Sequence, residues 1–191
     1  MKIKTIGVLA VQGDVEPHLA MLQRVGANSI AVRRAEELLL CDGLILPGGE
    51  STAMTKLLHF IGMYDPLLRF AAEKKPMWGT CAGCILLGKQ GDDPRVRSLG
   101  VMDITVARNA YGRQTESFTM NVTLREDPFP LPGVFIRAPI ISQVGETVQV
   151  VGTLGEQIVH VEQGHLWAST FHPELTNDER LHRKFVEGLF C

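Results

Sequence analysis

Along the first half of the chain, apolar positions alternate between two textures. Thr5-Ile6-Gly7-Val8-Leu9-Ala10-Val11 is a short continuous apolar run, the mark of a strand buried on both faces. Residues 16–25 then place Leu19, Leu22 and Val25 at helical spacing, and Gly26 follows where a helix C-cap belongs. Ser29-Ile30-Ala31-Val32 reads as the next strand, residues 35–40 as a short helix, and Gly43-Leu44-Ile45-Leu46 as another buried strand. Pro47-Gly48-Gly49 predicts a tight turn, and residues 52–60 and 67–74 predict helices. Pro76-Met77-Trp78-Gly79 is a short strand that enters a turn at Cys81, with a helix expected over residues 84–89.

This alternation with short connections predicts βαβ units and an α/β fold in which helices flank an open, mostly parallel sheet. From about Gly100 the texture changes. Ile104-Thr105-Val106, Thr119-Met120-Asn121-Val122-Thr123, Val134-Phe135-Ile136 and Val148-Gln149-Val150-Val151 are strand-like, with turn residues between them. They predict an antiparallel or mixed extension of the sheet. A strand is expected to end at Phe171, and residues 178–189 close the chain as an amphipathic helix. No Pro/Gly-rich linker separates the halves, so residues 1–191 read as one domain.

Composition narrows the function classes. Net charge is −2, without a basic run, so a nucleic-acid partner has no electrostatic support. The apolar runs fall far short of the roughly 20 residues that span a bilayer. Met1-Lys2-Ile3-Lys4 leads straight into a strand without the apolar stretch of a signal peptide, so a cytoplasmic protein with no membrane partner is expected. The four cysteines are Cys41, Cys81, Cys84 and Cys191. Cys81-Ala82-Gly83-Cys84 is formally a redox C-x-x-C, and no second ligand pair at finger spacing supports zinc.

Gly79-Thr80-Cys81-Ala82-Gly83 carries a sharper message. A nucleophile on a strand-to-helix turn needs small neighbours, so that the backbone can strain and substrate can approach. Unpaired N–H groups at the helix start favour a thiolate, and the Ala82 N–H can donate to a developing oxyanion. The Pro47-Gly48-Gly49-Glu50-Ser51 turn lies at the same, carboxyl end of the parallel strands, where ligands bind in such sheets. Its two glycines can present bare N–H groups to a substrate carbonyl. Among the six histidines, His18, His59, His160, His165 and His182 sit in helical or strand-like surroundings that suit surface or packing roles. His172 stands at a strand terminus in Ser169-Thr170-Phe171-His172-Pro173-Glu174, where Pro173 forbids continuation. Glu174, two residues on, can fold back to the second ring nitrogen and fix the tautomer.

Together these residues resemble the class I (triad) glutamine amidotransferases. Within that class, several segments are similar to the glutaminases of pyridoxal 5′-phosphate synthase. They are Leu44-Ile45-Leu46-Pro47-Gly48-Gly49-Glu50-Ser51-Thr52, Arg108-Asn109-Ala110-Tyr111-Gly112-Arg113-Gln114 and Val134-Phe135-Ile136-Arg137-Ala138-Pro139. The resemblance implies a three-layer, flavodoxin-like fold and hydrolysis of L-glutamine to L-glutamate and ammonia. It implies a Cys81, His172 and Glu174 triad, with no metal and no organic cofactor. Gly48, Gly49, Glu50, Arg108, Ile136 and Arg137 would bind glutamine, with Gly49 and Ala82 at the oxyanion. Which arginine faces substrate and which braces a loop stays open. Gln12 would face a separate synthase subunit, a (β/α)₈ barrel that consumes the ammonia to make pyridoxal 5′-phosphate, vitamin B6. Cys84, where an aliphatic residue is more usual, and Asp14-Val15-Glu16-Pro17-His18 depart from the family pattern. The alternatives are a glutaminase of histidine or purine biosynthesis, a related cysteine hydrolase, and a non-catalytic binding module.

Overall fold

The structure, a computed structural model, describes residues 4–108 and 117–189. Residues 109–114 of the Arg-Asn-Ala-Tyr-Gly-Arg-Gln segment, and Cys191, lie outside the described residues.

Strand β1 (Thr5–Leu9) forms where the continuous apolar run predicts it. Helix α1 (Val15–Arg24), β2 (Asn28–Val32), a 3-10 turn (Ala35–Leu40) and β3 (Gly43–Leu46) follow. Helix α2 (Ser51–Phe60) starts on a Glu50 cap, whose carboxylate accepts from the N–H groups of Thr52 (3.0 Å) and Ala53 (2.7 Å). Then come α3 (Tyr64–Ala72), β4 (Met77–Thr80) and α4 (Ala82–Leu87). The rest is β5 (Gly88–Gly91), β6 (Met102–Ala107), β7 (Ser117–Leu124), β8 (Leu131–Ile136), β9 (Ile140–Val144), β10 (Gln149–Leu154), β11 (Gln157–Gln163), β12 (Leu166–Ser169), a 3-10 turn (Pro173–Leu175) and α5 (Arg180–Gly188).

A nine-stranded sheet runs β2-β1-β3-β4-β12-β11-β10-β7-β8. Its first five strands are parallel and its remaining pairings antiparallel, so the sheet is mixed, as the change of texture predicts. A smaller sheet, β5-β6-β9, lies beside α4 and β11.

Strand alternation divides the core into two layers. Leu44 and Leu46 of β3 and Met77 of β4 pack with Met54, Leu67 and Leu86 of α2, α3 and α4. Ile45 and Trp78, one residue out of phase, pack on the other face with Leu22 of α1 and Phe185 of α5. Each fully buried aliphatic side chain contributes about 1.5–3 kcal/mol relative to exposure, so a polar residue in either phase of β3 would be costly. No helix among the described residues is long and apolar enough to cross a membrane.

Three expectations need correction. The helix expected over residues 84–89 ends at Leu87, and β5 begins at Gly88, which takes φ −60° and ψ 150° and pairs with Met102. A side chain at Gly88 would crowd Val106 at 3.1 Å, so the glycine here serves close strand packing. The strand expected to end at Phe171 ends at Ser169, and Phe171 turns into the core. Strands β9 and β11 were not expected at all. Their Gln, Ser and Glu residues break the apolar pattern, and pairing to neighbours holds them instead.

Candidate active site

β4 passes into α4 through a corner at Cys81, whose backbone sits at φ +47° and ψ −104°. A non-glycine residue there carries about 1–3 kcal/mol of strain, which the surroundings must hold. The Cys81 N–H donates to the Ser169 carbonyl (2.8 Å), and the Cys81 carbonyl accepts from the Cys84 N–H (3.1 Å). A β-carbon at Gly83 would overlap the Leu46 carbonyl, and one at Gly79 would overlap the backbone of Gly83. Both glycines are thus required because the corner packs backbone against backbone. As the first residue of α4, Ala82 has an N–H with no carbonyl of its own helix to receive it.

His172 arrives on the loop that leaves β12. Its N–H donates to the Val134 carbonyl of β8 (2.8 Å), and Pro173 then opens a 3-10 turn. That turn brings Glu174 back, with Oε1 2.7 Å from His172 Nδ1. Both side chains are buried. With Nδ1 engaged, Nε2 is the nitrogen available to Cys81. Burial lowers the His172 imidazole, but hydrogen bonds and charge from Cys81 and Glu174 outweigh it and push it up to about 10. Burial raises the Glu174 carboxyl, and the adjacent imidazole opposes the rise. Gly48 gives the ring its wall, since a β-carbon there would overlap the imidazole.

Cys81 and His172 lie in a cavity of about 350 Å³, whose lining includes neither Glu174 nor Gly48, which sit behind the imidazole. Gln12, Gly49, Glu50, Ala82, Arg108, Ile136 and Arg137, all singled out from sequence, line it together with Cys81 and His172. The Ile136 carbonyl lies 3.9 Å from Cys81 Sγ, and Arg137 follows at φ +42°. Arg108 is a brace as well as a wall. Its guanidinium contacts Glu50 Oε1 (3.2 Å), Thr52 Oγ1 (3.2 Å) and Asp93. No ion pair to Arg137 occurs among the described residues. Partial burial raises the Glu50 carboxyl, but the N–H groups of the cap and Arg108 hold it below its ordinary range. Gln12 anchors the glycine turn, since its Oε1 accepts from the Glu50 N–H (2.9 Å).

Sequence reasoning gave no site role to Ser51, Ile85 and Pro139 of the lining, nor to Asp14 and His18. Asp14 lines the cavity, with Oδ2 3.5 Å from His172 Nδ1. His18 lies beneath the site, with Nε2 3.4 Å from Glu174 Oε2. The signal for His18 was helical register: Met21 and Leu22, three and four positions on, are both buried. Asp14, His172 and Glu174 present ligand atoms within 4.8 Å of one another, but His172 Nδ1 already bonds Glu174.

Cys84 is fully buried and burial pushes its thiol well up, which removes support for the redox C-x-x-C reading. Cys84→Ala is expected to leave the rate of glutamine hydrolysis unchanged. A loss comparable to that of a Cys81 substitution would contradict this.

The SNO glutamine amidotransferase family matches residues 8–190. The chain is 50% identical over 184 residues to the pyridoxal 5′-phosphate synthase subunit PdxT of Brevibacillus brevis, covering 95% of each chain. It is 48% identical over 187 residues to the protein of the same name from Deinococcus radiodurans, again covering 95% of each. A solved structure described as a glutamine amidotransferase superposes with a TM-score of 0.92 at 44% identity, over 97% of this chain and 99% of that one. The structure of PurLQS from Thermotoga maritima, at a TM-score of 0.71 and 15% identity over 100% of this chain and 96% of that one, shares the fold.

Proposed function

The chain belongs to the SNO glutamine amidotransferase family, and from that premise we propose that it hydrolyses L-glutamine through Cys81 and delivers the ammonia to a separate synthase subunit. It is a glutaminase, and its relatives' name, pyridoxal 5′-phosphate synthase subunit, supports vitamin B6 as the destination. We read it as a single catalytic domain acting in the cytoplasm without a cofactor. The observation that carries the reading is the strained Cys81 with His172, itself bonded to the buried Glu174 behind it, in a cavity lined by Gly49 and two arginines.

With the shared proton on His172, the Cys81 thiolate attacks the side-chain amide carbon of glutamine. The oxyanion forms against the Ala82 N–H and the Gly49 peptide. His172, charged and steadied by Glu174, returns the proton to the departing nitrogen, and ammonia leaves a γ-glutamyl thioester. Water, deprotonated by His172, cleaves the thioester, and glutamate departs. Arg108 and Arg137 supply the cations at the rim for the substrate's α-carboxylate, with Glu50 the acidic group for its ammonium.

Released ammonia would be protonated in water, so hydrolysis is useful only when the acceptor enzyme is docked. Gln12 lies at the cavity and holds the Glu50 N–H, next to the Gly48–Gly49 peptide. A partner that touches Gln12 can therefore turn that peptide toward the oxyanion, and glycine permits the rotation at little cost. Glutamate production is expected to be slow in the isolated chain and to rise on addition of the pyridoxal 5′-phosphate synthase barrel subunit. Equal rates with and without it would overturn the docking switch. No glutamate under either condition would overturn the assigned reaction.

A further inference from the structure

Behind the proposed triad lies a second row of buried polar groups that the cycle above leaves unused. Glu174 gives Oε1 to His172, while its buried Oε2 has no hydrogen bond of its own. That oxygen faces His18 Nε2 at 3.4 Å. The same nitrogen lies 3.1 Å from Oγ1 of Thr80, the residue before Cys81. On the ring's other side, His18 Nδ1 is 3.0 Å from Nε2 of His182, on α5. His182 Nδ1 is buried without a partner. His18, Thr80 and His182 are all fully buried.

Only two proton arrangements fit this chain of neutral rings. With the His18 proton on Nδ1, His182 must carry its own on Nδ1, leaving a buried N–H without an acceptor. With the His18 proton on Nε2, His182 donates from Nε2 to His18 Nδ1, and only a lone pair is left bare. The second arrangement frees the Thr80 hydroxyl hydrogen, which can rotate as the fixed ring N–H of the first cannot. It sets the His18 N–H toward Thr80 Oγ1 and beside the far oxygen of Glu174, where the first would set a ring lone pair against that oxygen. Burial keeps the rings neutral. It pulls His18 well below its ordinary value, helped by His182 and His172, and lowers His182 to about 3.

We propose that His18, steadied by His182, is a positioning residue whose Nε2–H holds the far oxygen of Glu174 and thereby aligns His172 with Cys81. Neither His18 nor His182 lines the cavity, so their effect is on the turnover step rather than on glutamine binding. The proposal rests on the glutaminase reading above.

Three substitutions at one position test it, each assayed with the synthase subunit present. The amide nitrogen of His18→Gln sits near the imidazole Nε2 position and can still reach Glu174. That of His18→Asn sits near Nδ1 and cannot, and His18→Met has no donor. The Asn and Met substitutions are expected to lower kcat roughly 10- to 100-fold, the usual loss for an outer partner of a catalytic histidine, with KM nearly unchanged. The Gln substitution is expected to recover most of the loss. If the Met chain fails to fold, the Gln–Asn contrast decides, because both keep an amide in the buried pocket and differ in which side it reaches. Unchanged kcat in the Asn chain, or equal loss in Gln and Asn, would overturn the proposal. The rate of Cys81 alkylation by iodoacetamide is read in parallel and is expected to follow the same order. If the parent chain does not hydrolyse glutamine, the functional reading falls, while the alkylation series still judges His18.

Discussion

Cys81→Ala is expected to lower glutamine hydrolysis by about 10⁴-fold or more, since loss of a covalent nucleophile leaves only oriented binding and the oxyanion donors. Alanine fits the space, and the corner stays held by the bond from residue 81 N–H to Ser169 and by the packing of Gly79 and Gly83. Glutamine affinity, measured by calorimetry in the synthase complex, should therefore stay close to that of the parent chain. A second readout separates chemistry from binding. Cys81 is one of the two groups that raise His172, so the imidazole titration followed by NMR should move down from its parent value of about 10. Glutamate release above one hundredth of the parent rate, on the order of 3 kcal/mol of lost stabilisation, would rule Cys81 out as the nucleophile.

Glu174→Gln is expected to be nearly as damaging, with kcat down roughly 10³- to 10⁴-fold. The substitution is almost isosteric, so packing survives and the loss reports electrostatics. An amide N–H turned to His172 Nδ1 forces the imidazole proton onto Nε2, the atom that must accept from Cys81. An amide oxygen turned there keeps the tautomer but withdraws the charge that steadies imidazolium. Stability should change with a definite sign. His172 is raised from 6.5 to about 10, so its charged form stabilises the parent chain fully below pH 6.5, and that contribution is lost as pH rises through about 10. Melting temperatures across this window should fall less in the Gln chain. An unaltered pH dependence would mean that Glu174 contributes little to the raised imidazole.

Much of the site was legible because local chemistry dictates it. Gly79 and Gly83 betray a backbone corner, and Pro173 places His172 outside a strand, although β12 stops earlier than expected, at Ser169. The parallel half of the sheet was equally legible, since strands buried on both faces must be apolar throughout. What escaped is held by distant partners. β11 alternates Gln, His and Glu with valine, and only pairing to β10 and β12 makes it a strand. The bracing role of Arg108 depends on Asp93, 15 residues earlier and in irregular chain. His18 and His182 meet across 164 residues, a contact that no local pattern encodes.

The order of strands in the large sheet has a consequence in time. β12 pairs directly with β4, so the Ser169 carbonyl that holds Cys81 and the loop that brings His172 are synthesised long after the thiol itself. A nascent chain that has completed β1 to α4 carries the thiol but neither its base nor its anchor. The reactive centre is thus assembled by the closing long-range pairing, late in folding, as non-local contacts are. A product stalled before β12 carries an idle cysteine and does not drain glutamine.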